Sequence, residues 1–149
     1  MFGVSGKNFV KAIINKAAAG ETLRVVNDQV GSPTYARDLA QALANLVTRQ
    51  LTGAFHLVNG GSCSWYEFAR AILEQAGLGA IPVTPITSAE LGRLAQRPAF
   101  SVLAQHAWER AGFPPLRPWP EALAAMLKAW QATGVKLPPE GSSVAREGH

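Results

Sequence analysis

Apolar residues recur along the chain at two spacings, and the alternation between them sets the expected architecture. After a start that reads as loop (Phe2-Gly3-Val4-Ser5-Gly6), Phe9, Val10, Ile13, Ile14 and Ala17 fall at helical spacing, with Asn8 placed to cap and Gly20 to stop. Leu23-Arg24-Val25-Val26 is β-branched at its end and bounded by Gly20-Glu21 and Asn27-Asp28, which predicts a short strand. Gln29 to Thr34 holds a Gly and a Pro and reads as loop or sheet edge. From Ala36 to about Arg49 the stripe Leu39, Leu43, Leu46 and Val47 predicts a second helix, with Leu43 in the core. Phe55 to Val58 predicts a second strand, with His56 as a hydrogen-bonded structural residue within it.

The remainder repeats this order. Ser64 to Glu67 has the S-x-x-E form of a capping box, and the helix it opens should bury Phe68, Ala69, Ile72 and Leu73 before Gly77. Ile81 to Ile86 holds prolines and is expected at a sheet edge. Weaker helical segments span Ser88 to Leu94 and His106 to Ala111. Pro120 to Ala132 is a stronger helix, with Leu123, Met126, Leu127 and Trp130 on one face and a proline where no amide is needed. Residues 1–133 are therefore expected to form one lobe. Residues 134–149 are expected as a disordered tail, whose deletion from Leu137 onward should leave stability unchanged. Short strands alternating with helices make an α/β fold, but they are too few and too short for a complete parallel nucleotide-binding sheet.

Composition narrows the function. Of 149 residues, 48% are hydrophobic and 16% charged, which suits one packed domain rather than a disordered chain. No stretch approaches the roughly 18 apolar residues of a membrane span, and Met1 to Val10 lacks the order of a secretory signal. Cys63 is the single cysteine, so no internal disulfide forms and a cytoplasmic location is expected. A net charge of +4 invites a nucleic-acid reading, yet Lys and Arg are scattered singly without interleaved aromatics. A basic protein that handles a phosphorylated small molecule fits better, with neither nucleic acid nor membrane as partner.

Much familiar chemistry is missing. Gly77-Leu78-Gly79-Ala80-Ile81-Pro82 is the nearest approach to a dinucleotide fingerprint, but it follows a helix and ends in Pro. Neither Tyr35 nor Tyr66 has a Lys four residues on. His56, His106 and His149 are far apart and Cys63 has no ligand at metal spacing, so no metal site is expected. Cys63 could be acidified by a helix start, though a small residue filling that position is the better reading. Three polar loops remain: Asn8 at a helix start, which offers amides to an anion; Gln29 to Thr34; and Arg97 to Ser101, whose Arg suits phosphate.

Together these segments are more specific than any one of them. Gly6-Lys7-Asn8-Phe9-Val10, the run from Leu23 through Asn27-Asp28-Gln29-Val30-Gly31-Ser32-Pro33-Thr34-Tyr35 to Ala40, Cys63 to Ala69, and Arg97-Pro98 to Leu103 resemble, in order, the dTDP-4-dehydrorhamnose reductase family. Met1-Phe2-Gly3 is similar to that family's Trp-aliphatic-Phe/Tyr-Gly stretch, met partway through. The resemblance implies an extended short-chain dehydrogenase/reductase, of which this chain would be the small C-terminal lobe with the N-terminal Rossmann sheet missing. It implies that Asn8, Gln29, Gly31, Ser32, Pro33 and Thr34 line a sugar-nucleotide cleft, with Arg97 a further candidate. Phe100 stands where the family commonly has Asn, which removes a polar group. The intact family enzyme would use NADPH or NADH and a Tyr-x-x-x-Lys acid to reduce dTDP-4-dehydro-6-deoxy-L-mannose. None of that machinery is in these residues, so this chain alone is expected to bind no cofactor and to catalyse nothing. Expected partners are a dTDP-sugar and either the missing Rossmann half or a second copy, through an exposed apolar face. Two other readings are a non-catalytic module, like the regulatory subunit of methionine adenosyltransferase, and the lobe of a related epimerase or dehydratase. The Gln-x-Gly-Ser-Pro-Thr loop favours the reductase branch over the latter.

Overall fold

Val10, Ile13, Ile14 and Ala17, buried at helical spacing, seat helix α1 (Phe9–Ala18) on the core. They do so in a computed structural model that describes residues 1–92, 95 and 97–135. Asn8 caps α1 through its side-chain oxygen, and Gly20 turns the chain at φ +69°, a value that favours glycine. Strand β1 (Leu23–Val26) follows and pairs in parallel with β4 (Val83–Ile86), from Leu23 opposite Val83 to Val26 opposite Ile86. Both strands of a two-stranded sheet are edges, so Pro85 can sit opposite Val25 without costing an interior hydrogen bond.

A second sheet was not legible in the pattern. Strand β2 (Val30–Gly31) lies between β3 (Cys63–Ser64), antiparallel to it, and β5 (Phe100–Ser101), parallel to it. The sequence predicts loop or edge at the first of these and loop at the last. Two-residue strands show no periodicity, and only the neighbouring backbone makes them strands. Gly31 is needed for that approach, because a Cβ there would lie 3.0 Å from Ser101 Oγ.

Helix α3 (Trp65–Gln75) is the centre of the molecule and packs against α1, both strands of the first sheet, β3 and α6 (Trp119–Gln131). The predicted capping box starts it: Glu67 N donates to Ser64 Oγ at 3.1 Å, and Ser64 N donates to Glu67 Oε2 at 2.7 Å. Phe68, Ala69, Ile72 and Leu73 are buried as expected, as are Leu123, Met126, Leu127 and Trp130 of α6. Phe68 meets three aromatic rings, those of Phe2, Phe9 and Trp119, at centroid distances of 5.5, 5.8 and 5.5 Å. The short helices α4 (Ser88–Leu91) and α5 (His106–Arg110) lie where helical segments are predicted, though α4 is shorter and Arg93 and Leu94 fall outside the described residues. The predicted tail likewise lies outside them from residue 136 onward. Among the described residues no helix is long and apolar enough to cross a membrane.

Three expectations are corrected. Helix α2 (Ala36–Val47) forms, but its predicted stripe is not a core face: Leu43 is 44% and Val47 79% exposed, while Ala42 is buried. That helix turns Ala42 and Leu46 instead toward a small satellite cluster around the stacked pair Trp108 and Phe113. Phe55 to Val58 is not a strand, because no strand lies beside it among the described residues. His56 accordingly is exposed rather than held within a sheet.

Burial at these positions sets the cost of truncation. Phe68→Ala should lower unfolding free energy by about 3–5 kcal/mol in chemical denaturation, through the cavity left among three rings. Leu43→Ala should cost less than about 1 kcal/mol, since the side chain is already exposed and leaves no closed cavity.

Candidate functional site: a two-chambered cleft

The residues on either side of α1 and α3 leave a cleft in two parts. The larger chamber, about 450 Å³, lies against α1 and β1 and is lined by Phe9, Ile13, Leu23, Val25, Val26, Trp65 and Leu91 on its apolar side. Lys16, Arg24 and Arg97 stand on its polar side with Gln29. The smaller chamber, about 180 Å³, is lined by Phe2, Gly31, Ser32, Pro33, Val58, Cys63, Phe68 and Ser101, among others. Phe9 and Trp65, with ring centroids 4.7 Å apart, line both and form the wall between them.

Local sequence explains this placement. Along β1 the burial pattern leaves Arg24 as the exposed residue, so the strand aims one cation outward from an apolar floor. Trp65 occupies the first position of α3, held there by the capping box, and its N–H donates to Gln29 O at 3.3 Å. The loop from Gln29 to Thr34 runs from the larger chamber to the smaller one. Ser101 Oγ donates to Val30 O at 3.2 Å and Thr34 Oγ1 donates to Ser32 O at 3.1 Å, tying the loop to β5 and to itself.

The far end of that loop is anchored by a polar clasp built around a buried amide. Asn59, fully buried, accepts from Tyr35 N at 2.7 Å and donates to Asp38 Oδ2 at 2.8 Å and Arg117 O at 3.1 Å. Arg117 in turn donates Nε–H to Asp38 Oδ2 at 2.8 Å and forms a second bond to Oδ1. The Arg117 guanidinium, with help from the Asn59 amide, holds the Asp38 carboxyl below the ordinary carboxylate range.

The candidate residues divide accordingly. Gln29 and Arg97 line the larger chamber, and Gly31, Ser32 and Pro33 line the smaller one. Asn8 has both amide groups engaged, its oxygen accepting from Lys11 N at 3.3 Å and its nitrogen donating to Gly3 O at 2.8 Å. Thr34 is buried and bonded within the loop. Phe100 is 70% exposed on β5. Sequence reading placed Phe9 and Trp65 in their helices and Lys16 and Arg24 among scattered charges, and named none of the four as a site residue. A lone Arg in an otherwise buried strand was the available signal. Lys16 is paired with Glu21 at 3.2 Å, whereas neither Arg24 nor Arg97 joins an ion pair among the described residues. Cys63 is buried, and that burial pushes its thiol up to about 12, so the helix start does not acidify it.

Comparison with known proteins decides the family. Residues 1–132 match the family described as RmlD substrate binding domain. The chain belongs to that family. The RmlD-type domain is 45% identical over 128 residues to the spore coat polysaccharide biosynthesis protein SpsK of Bacillus subtilis, covering 86% of this chain and 44% of the relative. It is 43% identical over 129 residues to a dTDP-4-dehydrorhamnose reductase of Mycobacterium tuberculosis, covering 85% of this chain and 42% of the relative. A crystal structure of dTDP-4-dehydrorhamnose reductase from Bacillus anthracis in complex with NADP superposes with a TM-score of 0.83 at 37% identity, covering 86% of this chain and 45% of that one. The RmlD-type domain thus spans less than half the length of these relatives.

Two measurements check the electrostatics. Asp38 has a folded-state pKa below its ordinary value of 3.8, so its stabilising contribution is complete above that value and is lost as pH falls through the folded-state one. Asp38→Asn should cost about 1–3 kcal/mol at pH 7, where the unpaired Arg117 and Asn59 groups remain, and this difference should shrink in denaturation series run below about pH 4. Ellman's reagent at pH 8 should leave Cys63 unmodified in the folded chain and titrate one thiol once denaturant is added.

Proposed function

We propose that the larger chamber binds the nucleotide of a dTDP-sugar, and that residues 1–133 are the sugar-nucleotide-binding unit of a dTDP-4-dehydrorhamnose reductase. One observation carries this reading. In a domain of a substrate-binding family, an aromatic and aliphatic floor stands beside three cations, two of them outside any ion pair among the described residues. A flat apolar wall suits a base, and cations suit a diphosphate. The smaller chamber, with the Ser32 hydroxyl and the Gly31 backbone, then suits the sugar.

The reaction of the complete enzyme is the NAD(P)H-dependent reduction of dTDP-4-dehydro-6-deoxy-L-mannose to dTDP-L-rhamnose, in cytoplasmic synthesis of a precursor for cell-surface polysaccharide. The described residues do not fit that cofactor. Gly77 and Gly79 lie between α3 and β4, and Gly77, at φ +75°, ends the helix rather than opening one. Cofactor binding therefore belongs to a further domain, with this lobe holding and orienting the sugar-nucleotide. Leu43 and Val47, exposed on α2, support docking of such a domain there.

Calorimetry or NMR titration of the chain with dTDP should give saturable binding of about millimolar affinity, because half a cleft leaves much ligand surface in water. Arg24→Ala and Arg97→Ala should each weaken it several-fold, and NADPH should give no saturable binding. Adding the Rossmann half of a relative in trans should produce reductase turnover that neither part shows alone. Tight NADPH binding or turnover by the chain alone would overturn the proposal.

A further inference from the structure

Gln29 is buried just beyond the end of β1, yet it lines the larger chamber. Its Nε2 donates to Ser88 Oγ at 2.7 Å. Ser88 Oγ donates to Asp28 Oδ1 at 2.7 Å, and Ser88 N donates to Asp28 Oδ2 at 2.8 Å. These residues meet because β1 and β4 run in parallel: Asp28 and Gln29 follow the end of one strand, Ser88 the end of the other.

Proton inventory fixes the direction of this relay. The Ser88 amide, and then its hydroxyl, hold the Asp28 carboxyl below the ordinary range, so at neutral pH it has no proton and only accepts. Ser88 has one hydroxyl proton and gives it to Asp28, so toward Gln29 it can only accept. The amide end facing Ser88 must therefore be the NH2 group. Gln29 Oε1 is left over, and it accepts no hydrogen bond from a described residue. The chamber that Gln29 lines also has Trp65, Val26 and Leu91, apolar walls that suit a base, while a diphosphate has Lys16, Arg24 and Arg97.

We propose that Asp28 and Ser88 are positioning residues that lock the Gln29 amide with its carbonyl oxygen toward the larger chamber, where it accepts a hydrogen bond from the imide N–H of a thymine or uracil base and thereby selects such bases over cytosine. The inference rests on reading the chamber as a nucleotide site. Cytosine presents a bare ring nitrogen where the imide carries its proton, so two acceptors would face each other. The relay also has a defined way to reverse. In Asp28→Asn the amide oxygen must still accept from Ser88 N, so its NH2 donates to Ser88 Oγ. The Ser88 proton then turns to Gln29 Oε1, the amide flips, and a donor faces the chamber.

NMR titrations of the 15N-labelled chain with dTDP, dCDP and pyrophosphate test this. The wild-type chain should bind dTDP about five- to tenfold more tightly than dCDP, the discrimination expected of one hydrogen bond. Ser88→Ala should bring that ratio near one, and Asp28→Asn should bring it to one or below. Pyrophosphate affinity should be equal in all three chains, which a general loosening of the site would not leave. Asp28→Asn preserves side-chain volume and both bonding positions, so it decides the matter if Ser88→Ala does not fold. Equal affinity of the wild type for dTDP and dCDP, or a ratio unmoved by either substitution, overturns this inference and leaves the nucleotide site standing. Failure of all three probes to bind the wild type overturns both.

Discussion

A buried amide must find its hydrogen bonds inside the protein, and Asn59 finds three, two at the start of α2 and one in the segment before α6. Through Tyr35 N it fixes the end of the Gln29 to Thr34 loop. Through Asp38 it holds the first turn of α2, and through the Arg117 carbonyl it holds the segment leading into α6. The next residue is pinned as well, since Gly60 N donates to Arg117 O and Trp119 N donates to Gly60 O. Removing the Asp38 carboxylate leaves the buried Asn59 amide short of a partner where water does not replace it, although the Arg117 guanidinium itself stays in reach of solvent.

That anchoring matters because both chambers depend on one loop and two rings. Phe9 is set by α1 and Trp65 by the capping box of α3, so the wall between the chambers comes from two helices rather than from a mobile segment. The loop is held at one end by the Asp28–Ser88–Gln29 relay and the Trp65 amide, and at the other by Asn59 and Phe2. Between these ends β5 lies close against Gly31. Groups that meet a ligand are thus placed by backbone pairing and buried bonds, a rigid support of the kind recognition needs.

The face of α2 shows the opposite condition. Leu43 and Val47 were read as core from their spacing, and the spacing is sound: the helix is amphipathic. A periodic pattern says that an apolar face exists, but not what covers it. In this chain, which spans less than half of its relatives, nothing among the described residues does so. Phe55 to Val58 fails as a strand for the same reason, since a strand is made by its neighbour and not by its own residues.

Sequence by itself determined the local events: the Asn8 and Ser64 caps, the buried faces of α1, α3 and α6, and strand β1. Each depends on interactions within a few residues, which spacing and side-chain type encode directly. Tertiary structure alone decided that β2, β3 and β5 form a sheet. It also decided that Arg24, Arg97 and Lys16 converge on one chamber from three separate segments. A charge on a strand reads the same whether it faces water or a ligand. Only the packing of α1, β1 and α3 around a common space, with contacts tens of residues apart in sequence, separates the two.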